Sequence, residues 1–223
     1  MTVAAGDGRA LSEAHALSGT LDGLRERKKQ RTRLALIDAA LDLFLAKGYE
    51  ATTIDEIVAA VDVSQRTFFR YFATKEDVVM DTMVQYDQIM VEAVAARPPG
   101  EKPLAALFAS LRVVLQNIAE SGPDESARFR KIHQVVETTP ALVHAHMARH
   151  KETEKVLAGV VARRLGVDPE TDLRPRLIVA FHAASVRVAF EDCARHEVWD
   201  APTVAARVGE NITLAQETLR DLI

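Results

Sequence analysis

The chain has 223 residues, of which 48% are hydrophobic and 5% aromatic, and its formal net charge is −4. This length and composition allow a sizeable buried core, and they favour one small module joined to a larger domain. The single cysteine, Cys193, excludes an intramolecular disulfide and a zinc site made of cysteines. The N-terminus lacks the apolar stretch of a signal peptide, and no apolar run reaches the roughly 18 residues of a membrane span, so we expect a cytoplasmic protein with no membrane partner.

Residues 1–27 are expected to form a poorly ordered tail outside the fold, because they are rich in Gly, Ala, Ser and Asp and show no sustained apolar period. Cations crowd the end of this tail and the start of the next helix, opposed by Glu26 alone: Arg25, Arg27, Lys28, Lys29, Arg31 and Arg33. This basic arm gives a chain of net negative charge a local positive surface that suits phosphates. A solvated charge run is the alternative when the segment is considered alone.

Residues 28–75 predict a small DNA-binding domain of three helices. Apolar residues recur at helical spacing over Gln30–Lys47, and Gly48 is typical of a helix C-terminus, so helix one ends there. Thr53 and Glu56 have the T-x-x-E spacing of a capping box, in which each side chain satisfies a free backbone N–H. A short helix two therefore begins directly after Thr53.

The third helix is predicted to follow Ser64, a good N-cap, and to run from Gln65 to about Tyr71. The second and third helices then meet across a tight turn, which is the arrangement of a helix-turn-helix. Apolar residues of the three helices and the turn supply a small shared core: Phe44, Ile54, Ile57, Val58, Val61, Val63, Phe68 and Phe72. The other face of the third helix is left polar and cationic.

A helix-turn-helix lays its second helix in the major groove of DNA. Arg66 can donate two parallel hydrogen bonds to guanine, and Gln65 can pair with adenine, each contact being worth about 1–3 kcal/mol of discrimination. Hydroxyl, ammonium and helix N-terminal amide groups suit phosphate oxygens, which position the module without reading sequence. The predicted DNA contacts are Arg33, Thr53, Ser64, Gln65, Arg66, Thr67, Phe69, Arg70, Tyr71 and Lys75.

Residues 76–223 predict a larger helical bundle. Breaks rich in Pro and Gly separate long amphipathic segments, and no segment alternates apolar with polar residues for long enough to form a strand. The predicted helices cover Thr74–Ala95, Pro103–Glu120, Asp124–Thr138, Pro140–Leu165, Asp172–His196 and Pro202–Leu222. The expected fold is therefore all-α, with a three-helix N-terminal domain and a C-terminal bundle.

A ligand pocket inside such a bundle would be lined by apolar side chains with a few polar groups that orient the ligand. The candidates are Met83, Tyr86, Met90, Phe108, Leu111, Leu115, Ile132, His133, Val136, Met147, Phe181, His182 and Ser185. Ordinary core packing is the alternative for each methionine and aromatic residue, and His133 and His182 also suit hydrogen-bonded core histidines.

Catalysis has no support in the sequence. A G-x-S-x-G motif, a phosphate-binding glycine loop and a dinucleotide fingerprint are all missing. His144, His146 and His150 lie close together in the chain but lack the H-E-x-x-H pattern of a zinc enzyme, which favours histidines on a solvated helix. We therefore expect no enzyme, no cofactor and no metal.

Three motifs resemble the N-terminal signature of TetR-type transcriptional regulators: Thr53–Val58, Val63–Phe72 and Thr74–Asp77. The resemblance spans about Arg33 to Val79. It implies a homodimer that pairs through its last two helices, binds a palindromic operator in double-stranded DNA, and represses until a small hydrophobic effector releases it. The chain departs from the family at Phe69, where most members carry a tyrosine whose hydroxyl meets a phosphate.

The segment Phe129–Leu177 is similar to actinobacterial TetR-type regulators whose ligand domain resembles that of the mycofactocin regulator. That resemblance implies an effector of the acyl-CoA or fatty-acyl type, or another bulky hydrophobic molecule. A bulky aromatic or cationic drug that controls an efflux pump is the alternative, and buried carboxylates would favour a cation; the candidates are Glu92, Glu120, Glu137 and Asp192. A helical small-molecule-binding protein that does not bind DNA is the rival function, and Gln65, Arg66 and Arg70 argue against it.

Overall fold

The computed structural model describes the backbone of residues 7–222 and the side chains of residues 23–200, 202–218 and 220. Within this part of the chain, nine α-helices follow one another without a strand, which confirms the all-α prediction. The helices are α1 Asp7–Lys47, α2 Ile54–Ala60, α3 Gln65–Phe69, α4 Lys75–Ala96, α5 Pro103–Glu120, α6 Pro123–Thr138, α7 Pro140–Leu165, α8 Arg174–Arg195 and α9 Ala201–Leu222. None of them is long and apolar enough, over its described residues, to cross a membrane.

The first helix begins earlier than its apolar period predicts. Helix α1 starts at Asp7, so the predicted start at Gln30 was wrong, whereas its end at Lys47 is confirmed. Residues with high helix propensity continue upstream of Gln30, and no proline interrupts them, so the helix extends beyond the face that it buries. The basic arm is accordingly part of a helix. Residues 1–6 of the predicted tail lie outside the described residues.

An N-terminal core forms where α1, α2 and the α3 region pack against α4, α6 and α7. The first group of elements contributes Leu36, Ile37, Ala40, Leu41, Phe44, Ile57, Val58, Phe68 and Phe72, and the later helices contribute Val78, Val79, Met80, Ile132, Val135, Val136 and Leu142. The apolar core is thus continuous across residue 75. The division into domains at 28–75 and 76–223 stays a prediction.

A separate C-terminal core lies between α4, α5, α7, α8 and α9, and α6 contributes Phe129 to it. Its most deeply buried members include Val94, Leu107, Val161, Cys193 and Val208. Helix α8 packs on α5, α7 and α9, yet it also carries apolar side chains that stay exposed, among them Leu177 at 66%. One face of α8 is therefore used inside the chain while another remains uncovered.

Ion pairs bind α6 to α1. The guanidinium of Arg128 donates from Nε and Nη2 to the two carboxylate oxygens of Asp38 at 2.8 and 3.0 Å, and it also pairs with Glu125. Only 5% of the Arg128 side chain is exposed, whereas the neighbouring pair of Lys131 with Asp42 is more open to solvent. These pairs hold the C-terminal bundle against the helix that opens the N-terminal core.

Candidate nucleic-acid interface

Helix α2 begins with the capping box that the sequence predicted. The hydroxyl of Thr53 accepts a hydrogen bond from the Glu56 N–H at 3.3 Å, and Glu56 Oε2 accepts one from the Thr53 N–H at 2.8 Å. Lys47 pairs with the same carboxylate from the end of α1. The hydrogen bond from Lys47, helped by those from Thr53, lowers the pKa of Glu56 to about 2, so this cap is ionised at neutral pH.

The turn between α2 and α3 is short and closed by backbone hydrogen bonds. Asp62 adopts a left-handed conformation with φ of 54°, which aspartate tolerates better than most residues, and the Val63 N–H donates to the Val58 carbonyl at 3.0 Å. Ser64 then caps α3, because its hydroxyl accepts a hydrogen bond from the Thr67 N–H at 3.2 Å. The turn and the cap together fix the direction of α3 relative to α2.

Helix α3 has an apolar face and a polar face, as predicted, although it ends at Phe69 rather than near Tyr71. Phe68 is completely buried, and the Phe72 ring packs 5.6 Å from it. Phe69 points the other way and is 52% exposed. The buried rings hold the helix in place, and its outward face is exposed and available for binding.

The polar side chains on that outward face differ in how free they are. Gln65 donates its amide to Asp55 of α2, and Arg70 donates to the Tyr71 hydroxyl at 3.0 Å while its guanidinium lies 4.9 Å from that ring. Arg66 is exposed and has no ion pair or side-chain hydrogen bond among the described residues. A free guanidinium on an exposed helix face suits bidentate contact with a base edge or a phosphate.

Two further predicted DNA contacts, Lys75 and Arg33, are held by partners that are distant in the chain. The ammonium of Lys75 donates to the carbonyls of Tyr49 and Thr52 at 2.7 and 3.1 Å, and it lies 4.3 Å from the Tyr49 ring centroid. Arg33 pairs with Asp81 of α4, and burial lowers the pKa of its guanidinium. Lys75 therefore closes the loop between α1 and α2, while Arg33 joins α1 to α4. Neither role is visible in the sequence, because the partners are distant in the chain.

The basic arm lies along α1, and all of its cations except Arg33 are exposed. Side chains from Arg25 to Arg31 are open to solvent, and Lys29 lies 3.5 Å from Glu26. Arg27 and Arg31 line a surface cleft of about 480 Å³ beside Asp38 and other residues of α1 and α6. A helical arm of this kind presents several positive charges along one line, which suits a phosphate backbone.

The structure brings most of the predicted ligand residues together around the C-terminal core. Met90, Phe108, Leu115, His182 and Ser185 are buried there, and Tyr86, Leu111 and Phe181 are partly buried against it. Three others, Met83, Ile132 and Val136, belong to the N-terminal core instead, and Met147 is 55% exposed. His133 lies between the ring of Phe129 on α6 and the ring of Phe190 on α8.

The two clefts that the structure shows lie outside these ligand residues. Besides the cleft at Arg27, a second surface cleft of about 230 Å³ lies between the end of the helix-turn-helix, α4 and α7, where Tyr71, Asp81 and Arg149 are among its lining residues. Neither cleft is lined by a predicted ligand residue.

The carboxylates that would favour a cationic effector are not buried in the bundle. Glu92 and Glu120 are exposed, and Asp192 pairs with Arg207 at 2.5 Å. Part of Glu137 reaches solvent, but burial of the rest and the nearby Glu191 raise the pKa of its carboxyl. Among the residues whose side chains are described, no group of three or more histidine, cysteine or acidic side chains is arranged to hold a metal ion.

The chain matches two family models and several bacterial regulators. The model of bacterial regulatory proteins of the tetR family matches residues 36–81, and the model of the MftR C-terminal domain matches residues 101–213. The transcriptional regulator TcmR of Streptomyces glaucescens is 44% identical over 168 residues, which are 74% of each chain. The mycofactocin biosynthesis regulator MftR of Mycobacterium tuberculosis is 28% identical over 174 residues, which are 77% of this chain and 84% of that protein.

Solved structures share the fold at lower identity. NalD, the secondary repressor of the MexAB-OprM multidrug efflux pump in Pseudomonas aeruginosa, aligns with a TM-score of 0.58 at 20% identity, over 84% of this chain and 96% of its own. A TetR-family transcriptional regulator from Syntrophomonas wolfei aligns with a TM-score of 0.57 at 20% identity, over 83% of this chain and 95% of its own.

Proposed function

The chain belongs to the TetR family of bacterial transcriptional regulators, and from this premise we propose that it is a ligand-responsive repressor released from a palindromic operator by a small hydrophobic molecule. Proteins of this family bind DNA and are not enzymes. The observation that carries the proposal is the free guanidinium of Arg66 on the exposed face of a helix that buried Phe68 anchors. Because the operator lies on the chromosome, we place the protein in the cytoplasm.

Base reading and phosphate anchoring divide between different side chains of α2 and α3. We assign base contacts to Arg66 and to Gln65, whose amide exchanges Asp55 for a base when DNA binds. Ser64 and Thr67 lie at the N-terminus of α3, where a helix end favours phosphate oxygens, whereas the N–H and the hydroxyl of Thr53 both donate to Glu56 and place Thr53 in a positioning role. Arg70 and Tyr71 flank them as a stacked pair. Lys75 and Arg33 are assigned a positioning role, because their donors already have partners.

Arg66→Ala is expected to weaken binding to the cognate operator by about 1–3 kcal/mol, or about five- to 150-fold, and to relax specificity at one base pair in each half-site. The reason is the loss of a bidentate contact to a base edge. The measurement is a gel-shift titration with the DNA that flanks the protein's own gene, set beside single-base variants of the operator.

Arg70→Ala is the matched control, since it also removes one exposed arginine from the same segment. A phosphate contact should weaken binding equally on all sequences and reduce the slope of log affinity against log salt by about 1. Loss of affinity in Arg66→Ala without any change in base preference would contradict the assignment. Absence of binding by the unchanged protein at low salt would favour the small-molecule-binding protein that does not bind DNA.

The homodimer that we propose pairs through α8 and α9. Leu173 before α8, Leu177 and Val188 on α8, and Leu214 on α9 are between 41% and 66% exposed in the single chain. Large exposed apolar side chains are typical of an interface, although Arg174, Arg176 and Arg187 are exposed on the same helix. A two-fold dimer presents its two α3 helices to equivalent half-sites about 34–36 Å apart or a multiple of that spacing, so the footprint should be symmetric.

Phe69→Tyr is expected to tighten operator binding by about 0.5–1.5 kcal/mol, the worth of one neutral hydrogen bond. The ring is half-exposed beside the polar face of α3, so a hydroxyl at its tip can reach a phosphate without repacking the core. The measurement is the operator affinity of the variant at fixed salt. Unchanged or weaker binding would show that the ring does not face the DNA backbone.

The effector would act by shifting the population of two arrangements of the DNA-binding helices, with a coupling of about 1–3 kcal/mol. Helix α4 is the element that follows the reading helix directly, and its first turn is fixed by a capping box between Thr74 and Asp77. Arg149 of α7 donates to the same Asp77 at 3.1 Å. A movement of α7 against α4 is therefore transmitted to the base of the helix-turn-helix.

A further inference from the structure

One side-chain hydrogen bond joins the outward faces of α2 and α3. The amide of Gln65, at the start of α3, donates from Nε2 to Oδ1 of Asp55, in the first turn of α2. No other side-chain hydrogen bond connects these two helices in the part of the chain that the structure describes. Both residues are exposed, whereas Ile57 and Val58 form the buried face of α2. Asp55 therefore lies on the same surface as the side chains that we assign to the bases.

The Asp55 carboxylate lacks the cation that its neighbour has. Lys47 pairs with Glu56, which also accepts from the N–H and the hydroxyl of Thr53. Asp55 has no ion pair among the described residues, and the donor that it does have is the neutral amide of Gln65. A carboxylate without a cation repels the phosphates of DNA and weakens binding to every sequence. Such a group can still raise specificity, because specificity is a difference between affinities.

The release of Gln65 to a base leaves the Asp55 carboxylate in need of a new donor. An ionised carboxylate only accepts hydrogen bonds, and the sugar–phosphate backbone of duplex DNA has no donor to offer it. In the major groove the donors are N6 of adenine and N4 of cytosine, because guanine and thymine present acceptors there. The groups on the DNA that can satisfy Asp55 are therefore the amino groups of these two bases.

Cytosine suits this carboxylate better than adenine does. N6 of adenine lies beside the acceptor N7 on the same base edge, so a carboxylate at N6 also meets a lone pair, whereas the major-groove edge of cytosine has no acceptor. The distance is suitable as well. Successive base pairs are about 3.4 Å apart, close to the length of a hydrogen bond, so a group that contacts the Gln65 amide reaches the base pair next to the one that Gln65 reads.

We propose that Asp55 is a specificity-determining residue that accepts a hydrogen bond from N4 of a cytosine next to the base pair read by Gln65. This inference rests on the repressor function proposed above. The same carboxylate rejects guanine and thymine at that position, because their O6, N7 and O4 atoms are acceptors that face it with lone pairs. The contact adds one base pair to the sequence read in each half-site, and it uses a side chain of α2.

The test starts from randomised duplex DNA, because selection and sequencing of the bound duplexes give the base preference of each variant without a known operator. The natural protein should select cytosine beside the adenine read by Gln65. In Asp55→Asn the shape is kept, but the amide can donate as well as accept. Titration of the selected duplex and its single-base variants should show the preference for cytosine fall by about five- to 150-fold. Affinity for unrelated duplex DNA should rise, because one negative charge is removed.

Asp62→Asn is the matched control. Asp62 is exposed in the turn between α2 and α3, and asparagine also tolerates its positive φ. This substitution removes the same charge close to the same surface, so it should raise the affinity for unrelated DNA while leaving the base preference unchanged. An equal loss of cytosine preference in Asp62→Asn and Asp55→Asn would mean that charge alone sets the preference, and it would overturn the inference.

Two further variants show whether Asp55 contacts the base directly. Gln65→Ala and Arg66→Ala each identify the base pair that the removed side chain reads. We expect Asp55→Asn to change a different base pair, and to do so in the Gln65→Ala background as well. A change confined to the base pairs altered by those two variants would overturn the inference, because Asp55 would then only position Gln65 or Arg66. Sequence-specific binding with an unchanged preference in Asp55→Asn overturns this inference alone, whereas no binding of any duplex at low salt overturns the proposed repressor as well.

Discussion

Phe68→Ala is expected to destabilise the helix-turn-helix by about 3–5 kcal/mol and to abolish operator binding, the usual cost of truncating a fully buried phenylalanine. The Phe68 ring has no exposed surface and packs against Phe72 in the N-terminal core. A cavity at this position removes the contact that orients α3. The outward face of α3 is then no longer held in place, and the free energy of unfolding falls. Hydrogen exchange should show lower protection in α2 and α3, with α5 and α8 unaffected.

Phe69→Ala provides the matched control, because it removes the same ring one position along the same helix. That ring is half-exposed and makes only an edge contact with Phe68, so the loss should be below about 1 kcal/mol. Equal destabilisation by the two variants would contradict the assignment of Phe68 as the anchor of α3.

Arg128→Met is expected to reduce the free energy of unfolding by about 2–4 kcal/mol and to weaken the connection between the bundle and α1. Removing one partner from a buried ion pair leaves the other charges without compensation, although the exposed part of Asp38 lowers the cost below that of a fully buried pair. Methionine has a similar length and keeps the apolar contacts of the arginine stem. Urea denaturation followed by circular dichroism measures the change.

Lys131→Met is the control for this substitution, since Lys131 joins the same two helices through Asp42 at a more exposed position. An exposed pair contributes about 0–1 kcal/mol, so this variant should unfold almost as the natural protein does. An equal loss of unfolding free energy in Lys131→Met and Arg128→Met would mean that burial of the Arg128 guanidinium does not contribute to stability. The Tyr86 hydroxyl donates to Glu125 at 2.9 Å, and Glu125 pairs with Arg128. The ion pairs of Arg128 therefore also connect the bundle interior with α1.

Local signals in the sequence predicted the helix-turn-helix well. The capping box at Thr53 and the N-cap at Ser64 depend on residues three positions apart, and the structure confirms both. The buried face of α3 follows from the positions of Phe68 and Phe72. These features need no knowledge of the rest of the chain.

Contacts between distant residues could not be predicted in the same way. Lys75 looked like a phosphate ligand, but it donates to carbonyls more than twenty residues earlier in the chain, at Tyr49 and Thr52. Ile132 and Val136 looked like pocket residues, yet α6 turns them toward the N-terminal core. Apolar periodicity shows that a helix has a buried face, but it does not show which neighbour covers that face.

The sequence predicted the start of α1 too late. Periodicity reports only the part of a helix that packs against a core, and the upstream part of α1 is helical through the propensity of its residues. The buried Nε2 of His182, which has no hydrogen-bond partner among the described residues, was also beyond sequence reasoning, because a satisfied core histidine has the same pattern of neighbours.

The continuous N-terminal core limits how the helix-turn-helix of this regulator could be combined with another ligand-binding domain. Grafting its helix-turn-helix onto another sensor by cutting at residue 75 would separate Phe68 and Phe72 from Val78, Val79 and Ile132, which share one apolar interior. A working chimera would have to carry α1–α4 together with the matching surface of α6. Under the function proposed here, operator specificity would be exchanged by substituting the outward side chains of α3, such as Arg66, while the buried Phe68 and Phe72 are left unchanged.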